Sequence, residues 1–260
     1  MSDKIIKREE EVGVPSVATP GVMRGIEGFD FSEDLIQPRL KINQALSPMV
    51  VDGLAKPGTL YNSITNFVYG TSVTLQPIRV LKSRIKWLSR EEGGFDCRSK
   101  DGVHGDKYGL CVKCEYSKWI NQEPPVCNPI IGFMGLIRDY DNPEVNNQII
   151  VASFLRTSYR EGQQLLSKII YSQADVFFKK YKLSTKQVKN DKGVFFVLTS
   201  DGGVRVTPEE YEDGLAKYTI AKSLDIDVIE DDRTEAEVAD ITSADLKRAG
   251  IVEEDDNIEF

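Results

Sequence analysis

Residues 72–89 read SVTLQPIRVLKSRIKWLS, and the fold turns on how this stretch alternates. Successive side chains of a strand point to opposite faces, so apolar residues of one parity mark a buried face. Here Ile78 and Val80 share one parity, whereas Leu81, Ile85 and Trp87 share the other. A straight strand cannot hold both sets on one face, so the switch requires a bulge or sharp coil near Val80. Past that point Lys82, Arg84 and Lys86 project together. Strongly bent strands are what small barrels need in order to close.

Reading outward, Arg39 to Gln44 alternates with Leu40 and Ile42 on one face and Arg39 and Lys41 on the other, the pattern of a half-buried strand. Thr59 to Tyr69 is rich in aromatic and β-branched residues. Ile130 to Ile137 and Gln148 to Arg156 read as two more strands, joined by the polar loop 139–147. Ser158 with Glu161 has the spacing of a capping box and opens a helix from about Tyr159 to Tyr171. Val176 to Val188 and Val194 to Thr199 flank Asn190-Asp191-Lys192-Gly193 and read as a hairpin. Thr207-Pro208-Glu209-Glu210 is a second capping box with Pro at the first helical position, opening a helix to about Ser223. Strands outnumber helices and do not alternate with them regularly, so the expected class is mainly β with added helices: an antiparallel barrel with two helices.

Residues 1–38 carry Val14-Pro15 and Thr19-Pro20-Gly21 without a sustained period and read as a flexible arm. The core is expected over 39–223, interrupted by a cysteine-bearing insertion at about 91–129. An acidic, largely disordered tail follows over 224–260. That tail holds fourteen acids and three bases, a net of −11 out of −8 for the whole chain. Residues 1–223 are left with thirty bases against twenty-seven acids, a net of +3. Such asymmetry between halves is a hint of nucleic-acid chemistry. Pro129 to Ile137, the longest nearly uninterrupted apolar run, is about half a membrane span. No membrane partner is expected, and the charged start, 1–11, leaves a cytoplasmic protein as the default.

All four cysteines fall in one window: Cys97, Cys111, Cys114 and Cys127. Disulfides do not persist in a reducing cytosol, and four thiolates, one pair separated by two residues, match a structural Zn²⁺ site. The intervening chain is rich in Gly, Pro and charge and cannot fold on apolar burial. Metal binding, worth about 10–16 kcal/mol in small zinc modules, can order it. His104, the only histidine, sits in the Gly102 to Gly105 turn and is read as a loop residue, with replacement of one cysteine ligand as the alternative. A closed four-sulfur site leaves no open position to activate water.

Enzyme chemistry is not expected. No phosphate-cradling, dinucleotide-binding, nucleophile-elbow or zinc-protease motif occurs. Asp139 and Asp141, the pair a Mg²⁺-dependent nuclease would need, lie beside Asn142-Pro143 and read as turn formers.

Residues 156–192 hold nine bases against three acids, with Tyr159, Phe177, Phe178 and Tyr181 interleaved. A basic groove with aromatic faces is how single strands are held. The candidate interface therefore comprises Arg39 and Lys41; Lys82, Arg84, Lys86 and Trp87; Arg156, Tyr159 and Arg160; and Lys179, Lys180, Tyr181 and Lys182. In the tail, Asp255, Asp256, Ile258, Glu259 and Phe260 form a carboxylate run closed by an aromatic, suited to a partner's apolar pocket with a basic rim.

Pro38-Arg39-Leu40-Lys41 with Gln44, Ser47-Pro48, Lys56-Pro57-Gly58, Cys97-Arg98-Ser99-Lys100-Asp101-Gly102, the Cys111/Cys114 knuckle and Trp119 together resemble a group of tailed-bacteriophage proteins, over most of residues 34–222. More broadly, a barrel interrupted by zinc and followed by an acidic tail is similar to phage single-stranded DNA-binding, helix-destabilising proteins. That resemblance implies an OB-fold-like barrel, sequence-tolerant binding of single-stranded DNA, and roles in replication, recombination and repair. It also implies a tail that recruits a polymerase, helicase or primase, self-association on DNA, and residence in the host cytoplasm. The best-known zinc-bearing member of that class uses one histidine with three cysteines, whereas four cysteines stand here. The alternative is a zinc-containing transcription-accessory or interaction factor that contacts a polymerase.

Overall fold

The computed structural model describes residues 36–89, 92–121, 123–190, 193–222 and Val228. The expectations for the N-terminal arm up to residue 35, and for the tail apart from Val228, lie outside these residues. Strand β1 (Arg39–Ile42) leads through a helical turn, α1 (Pro48–Val51), to β2 (Leu60–Asn62) and β3 (Val68–Gly70). The long β4 (Ser72–Trp87) is followed by β5 (Phe95–Ser99) and by two-residue strands β6 (His104–Gly105) and β7 (Gly109–Leu110). Next come β8 (Asn128–Ile137) and β9 (Ile149–Leu155), then α2 (Tyr159–Tyr171). The hairpin of β10 (Lys179–Asn190) and β11 (Gly193–Arg205) precedes α3 (Pro208–Ala221).

The parity switch in β4 is resolved by a bulge. Pro77 faces Gly135 and Arg79 faces Met134 across the ladder to β8, leaving Ile78 as the extra residue, two positions before Val80. At 16 residues β4 is long enough to serve three neighbours. Its beginning pairs with β10, its end with β5, and β8 runs along its other side. The sheet order is β11-β10-β4-β8-β9-β1-β2-β3, with β5 on β4, nine strands in all. One junction is parallel, where Arg39 and Leu40 register with Val151 and Ala152 of β9.

The architecture is therefore mixed α/β: a large open sheet with helices. It corrects the expected closed OB-type barrel, because no ladder among the described residues joins the β11 edge to the β3 edge. The physical reason is that both faces of the sheet are apolar. Val73, Leu75, Phe133, Ala152 and Phe154 belong to one core, under Leu165 and Ile169 of α2. Past the bulge Leu81 and Ile85 of β4, with Met134 of β8 and Val151 of β9, belong to a second core with Phe177 and Ala221. A barrel has one interior, whereas a sheet with two oily faces is satisfied by a cover on each.

The two helix starts differ. Thr207 caps α3 in a full capping box, accepting from the Glu210 N–H while the Glu210 carboxylate accepts from the Thr207 N–H. Helix α2 has the expected limits, but Ser158 makes no side-chain cap; it closes a 3-10 turn over Arg156–Ser158. Helix α3 is fastened by a buried polar network. Gln76 donates to the carbonyls of Phe177 (2.8 Å) and Glu210 (3.1 Å) and accepts from Arg138 Nε (2.7 Å). Arg138 also donates to Asp213 at 3.0 Å. Beyond α3 the chain returns to the sheet at Val228, whose carbonyl accepts from Arg39 Nη1 at 2.8 Å. Its side chain occupies the space a Cβ at Gly132 would need. No helix among the described residues is long and apolar enough to cross a membrane.

Candidate functional site

Chain geometry brings the four cysteines to one place. Cys97 lies on β5 opposite Lys86 of β4. The β6–β7 hairpin delivers Cys111, whose N–H donates to the Val103 carbonyl at 2.8 Å. The knuckle then turns tightly: the Cys114 N–H donates to Leu110 at 3.1 Å, and the Ser117 hydroxyl donates to the carbonyls of Cys111 and Cys114. Cys127, just before β8, is tied through its N–H to the Tyr116 carbonyl. All four line one small cavity of about 10 Å³ together with Lys86, Tyr108 and Tyr116. That is room for one water-sized occupant. The thiols are free, and Cys97, Cys111 and Cys127 are buried. Against the expected four-cysteine Zn²⁺ site, no group of three or more His, Cys, Asp or Glu side chains among the described residues is placed to hold a metal ion.

Two observations bear on whether an ion suits this cavity. A Cβ at Gly105 would sit 2.8 Å from Cys97 Sγ, so only glycine lets the β6 backbone approach this sulfur. Burial pushes the Cys97 and Cys127 thiols up, and the Arg84 guanidinium beside Cys127 acts against it. Arg84 Nη1 is itself buried without a hydrogen-bond partner. Lys86 lies 3.9 Å from the centre of the Tyr116 ring and pairs with Asp96, which also holds Lys107. Hydrogen bonds from Lys107, Lys86 and Tyr108 hold the Asp96 carboxyl well below the usual range. Cations thus stand beside the sulfurs. His104 is exposed and pairs with Asp101 at 2.9 Å; it does not line the cavity.

The expected basic trough is not assembled as a single surface. Arg39 is turned to Val228, and Lys41 is only 8% exposed because both faces of β1 are covered. Arg84 and Lys86 face the cysteine insertion. Trp87 packs against the second core with its indole N–H buried. Tyr181, at 2% exposure, is a core residue that no base can stack on, and Tyr159 packs on the same core. Lys180 is paired with Glu210 at 2.7 Å, and Lys179 is half-buried. Lys82 and Lys182 are exposed on separate parts of the sheet, Lys82 with its stem against Gly102 and Lys182 opposite Thr74. Asp139 accepts from Asn142 and from the Asp141 N–H, the turn its sequence indicated. The residues at the tail end, from Asp255 to Phe260, lie outside the described residues.

One end of the sheet does gather suitable chemistry. Arg156 is exposed on the rim of a cleft of about 120 Å³ that Phe195 and Phe196 also line, and exposed Arg160 stands in the first turn of α2. Strand β10 carries exposed Lys186 and Lys189 opposite Val197 and Val194 of β11, on opposite faces of the hairpin and outside the lining of the cleft. Phe195 and Phe196 were missed as site residues because on a strand of apolar residues they read as core. Their place in the cleft with Arg156 distinguishes them. The insertion also exposes large apolar side chains, Trp119 at 68% with Val112, Ile120 and Val126.

No curated protein and no solved structure matches the chain. A family model does match, across residues 9–227, well over half of the sequence. It is that of the Pam3 phage gp34-like proteins, and the chain belongs to this bacteriophage family.

Proposed function

We propose that the protein binds single-stranded DNA with little sequence preference, without catalysis, during phage replication, recombination or repair. The observation that carries this reading is the cleft lined by Phe195 and Phe196, with the exposed Arg156 among its lining residues and the exposed Arg160 one turn on in α2. Phosphates want the cations and unstacked bases want the apolar rings. The acidic tail fits the same function in two ways: it competes for the cationic rim, and its end at Asp255 to Phe260 offers a docking segment to replication proteins. Zn²⁺ on Cys97, Cys111, Cys114 and Cys127 orders the insertion and takes no part in chemistry.

Fluorescence anisotropy with labelled oligo-dT and a matched duplex, over a salt titration, tests the reading, with zinc content measured on the same sample. Oligo-dT should bind far more tightly than duplex, with log affinity falling linearly in log salt at a slope of about −0.7 per phosphate contacted. Equal affinity for both, or none for either at 50 mM salt, overturns it.

The exposed Val112, Trp119, Ile120 and Val126 of the insertion favour a second reading, a zinc-containing factor that contacts a polymerase. Under that reading Trp119→Ala abolishes polymerase binding, and Lys186→Glu with Lys189→Glu leaves DNA affinity unchanged.

A further inference from the structure

The cleft at the end of the sheet exists because a side chain stands in for a strand ladder. Where β11 curls toward the end of β1, the Gln44 amide donates to the Phe196 carbonyl at 2.8 Å and accepts from the Phe196 N–H at 2.9 Å. This reproduces both hydrogen bonds of a strand pair but sets the backbones one side chain further apart. The gap is the cleft. Its walls are Leu40 and Ile42 of β1, Leu155 of β9, and Phe195 and Leu198 of β11. Its rim is polar, formed by Gln44, Thr157, Ser158 and Arg156.

Its size and lining narrow what it takes. One water needs about 10–15 Å³ of such space, so 120 Å³ accommodates about ten heavy atoms, the size of one planar heterocycle. Apolar walls with an aromatic suit a flat ring, while the hydroxyls and amide of the rim suit its polar edge. Arg156 supplies positive charge at the mouth. It is held with φ +48°, a left-handed conformation that few residues other than glycine, asparagine and aspartate adopt readily. Such strain collects where a side chain must point somewhere particular. The same rim is the start of α2, where Ser158 makes no side-chain cap.

We infer that this cleft receives one unpaired base of a bound DNA strand, with Phe195 against the ring and the adjoining phosphate on Arg156. The inference rests on the single-strand reading above and names the place where the strand is gripped.

Oligo-dT carrying one 4-thiothymidine, irradiated in complex with the full chain and digested with trypsin, should crosslink to residues 193–205, the peptide that holds Phe195 and Phe196. Phe195→Leu, which keeps an apolar side chain, should weaken oligo-dT binding by about 5- to 100-fold with an unchanged melting temperature. Arg156→Asn tolerates the left-handed backbone and should lower the salt slope by about one phosphate. If Phe195→Leu does not fold, the crosslink and Arg156→Asn carry the test. Full-affinity binding by both variants with crosslinks confined elsewhere overturns the cleft and leaves the function standing. Absence of binding by the unmodified protein overturns both.

Discussion

At the scale of single residues, the cysteine cavity depends on a missing methyl group. Gly105 lies on a short hairpin strand, and a Cβ there would meet Cys97 Sγ at 2.8 Å, closer than carbon and sulfur tolerate. Either the hairpin moves away or the sulfur turns out of the cavity, and in both cases the four-sulfur geometry opens. If the proposed Zn²⁺ is bound there, Gly105→Ala is expected to retain less than half of the unmodified protein's metal; with or without metal, it is expected to melt several degrees lower. Metal analysis of the purified variant checks this; full zinc content would show that this sulfur is not a ligand. The cysteine cluster was legible in the sequence because spacing alone identifies a knuckle. The surroundings of Arg84 and Lys86 were not. Alternation shows that they project together, but what they face depends on β5 pairing with the far end of β4, a contact made after a turn and set by register rather than composition.

Among the elements, α3 shows how a helix with little apolar area is held. Gln76 is fully buried and uses its whole amide, twice as donor and once as acceptor. Gln76→Leu keeps the approximate volume but strands Arg138 Nε and the Phe177 carbonyl, whereas the Glu210 carbonyl keeps Arg138 Nη2 at 3.4 Å. Each stranded group costs about 1–3 kcal/mol, so urea denaturation should register a loss of about 2 kcal/mol or more. Glu210 adds a pH dependence. Burial raises its pKa, but hydrogen bonds from Lys180, Tyr140 and the Thr207 N–H outweigh that and leave it below the ordinary value. A carboxyl depressed in the folded state stabilises above its unfolded pKa and loses that contribution as pH falls through the folded one. Stability should be flat from pH 6 to 8 and decline below about pH 4.5, and Glu210→Gln should remove part of the decline. Titration by urea midpoint decides it; an unchanged acid limb in Glu210→Gln sinks the assignment. The limits of α2, the capping box of α3 and the bulge in β4 were readable because each is set by residues within a few positions. Openness of the sheet was not. A strand with apolar residues on both parities suits a bent barrel strand and a double-faced sheet alike, and only the distant helices that cover each face decide between them.

For the whole molecule, the decisive relation is between a mildly basic body and an acidic tail that leaves it at a fixed point. Val228 sits in the space a Cβ at Gly132 would fill, with its carbonyl on Arg39, and Arg79 Nη1 holds the Ala221 carbonyl at 2.6 Å. Residues 229–260 beyond that anchor carry twelve acids and three bases, a net of −9. Their charge acts on a strand only within about a Debye length, about 10 Å at 0.1 M salt and about 3 Å at 1 M. A chain ending at Val228 keeps the anchor and changes the net charge from −8 to +1. Its affinity for oligo-dT should rise by about tenfold at 50 mM salt, from lost repulsion and competition, and should converge with that of the full chain near 1 M. Anisotropy at the two salt concentrations measures this directly. Weaker binding after truncation would mean that the tail contributes to holding DNA, and a gain that persisted at 1 M salt would mean that it acts by occupying the cleft through its apolar residues rather than by charge.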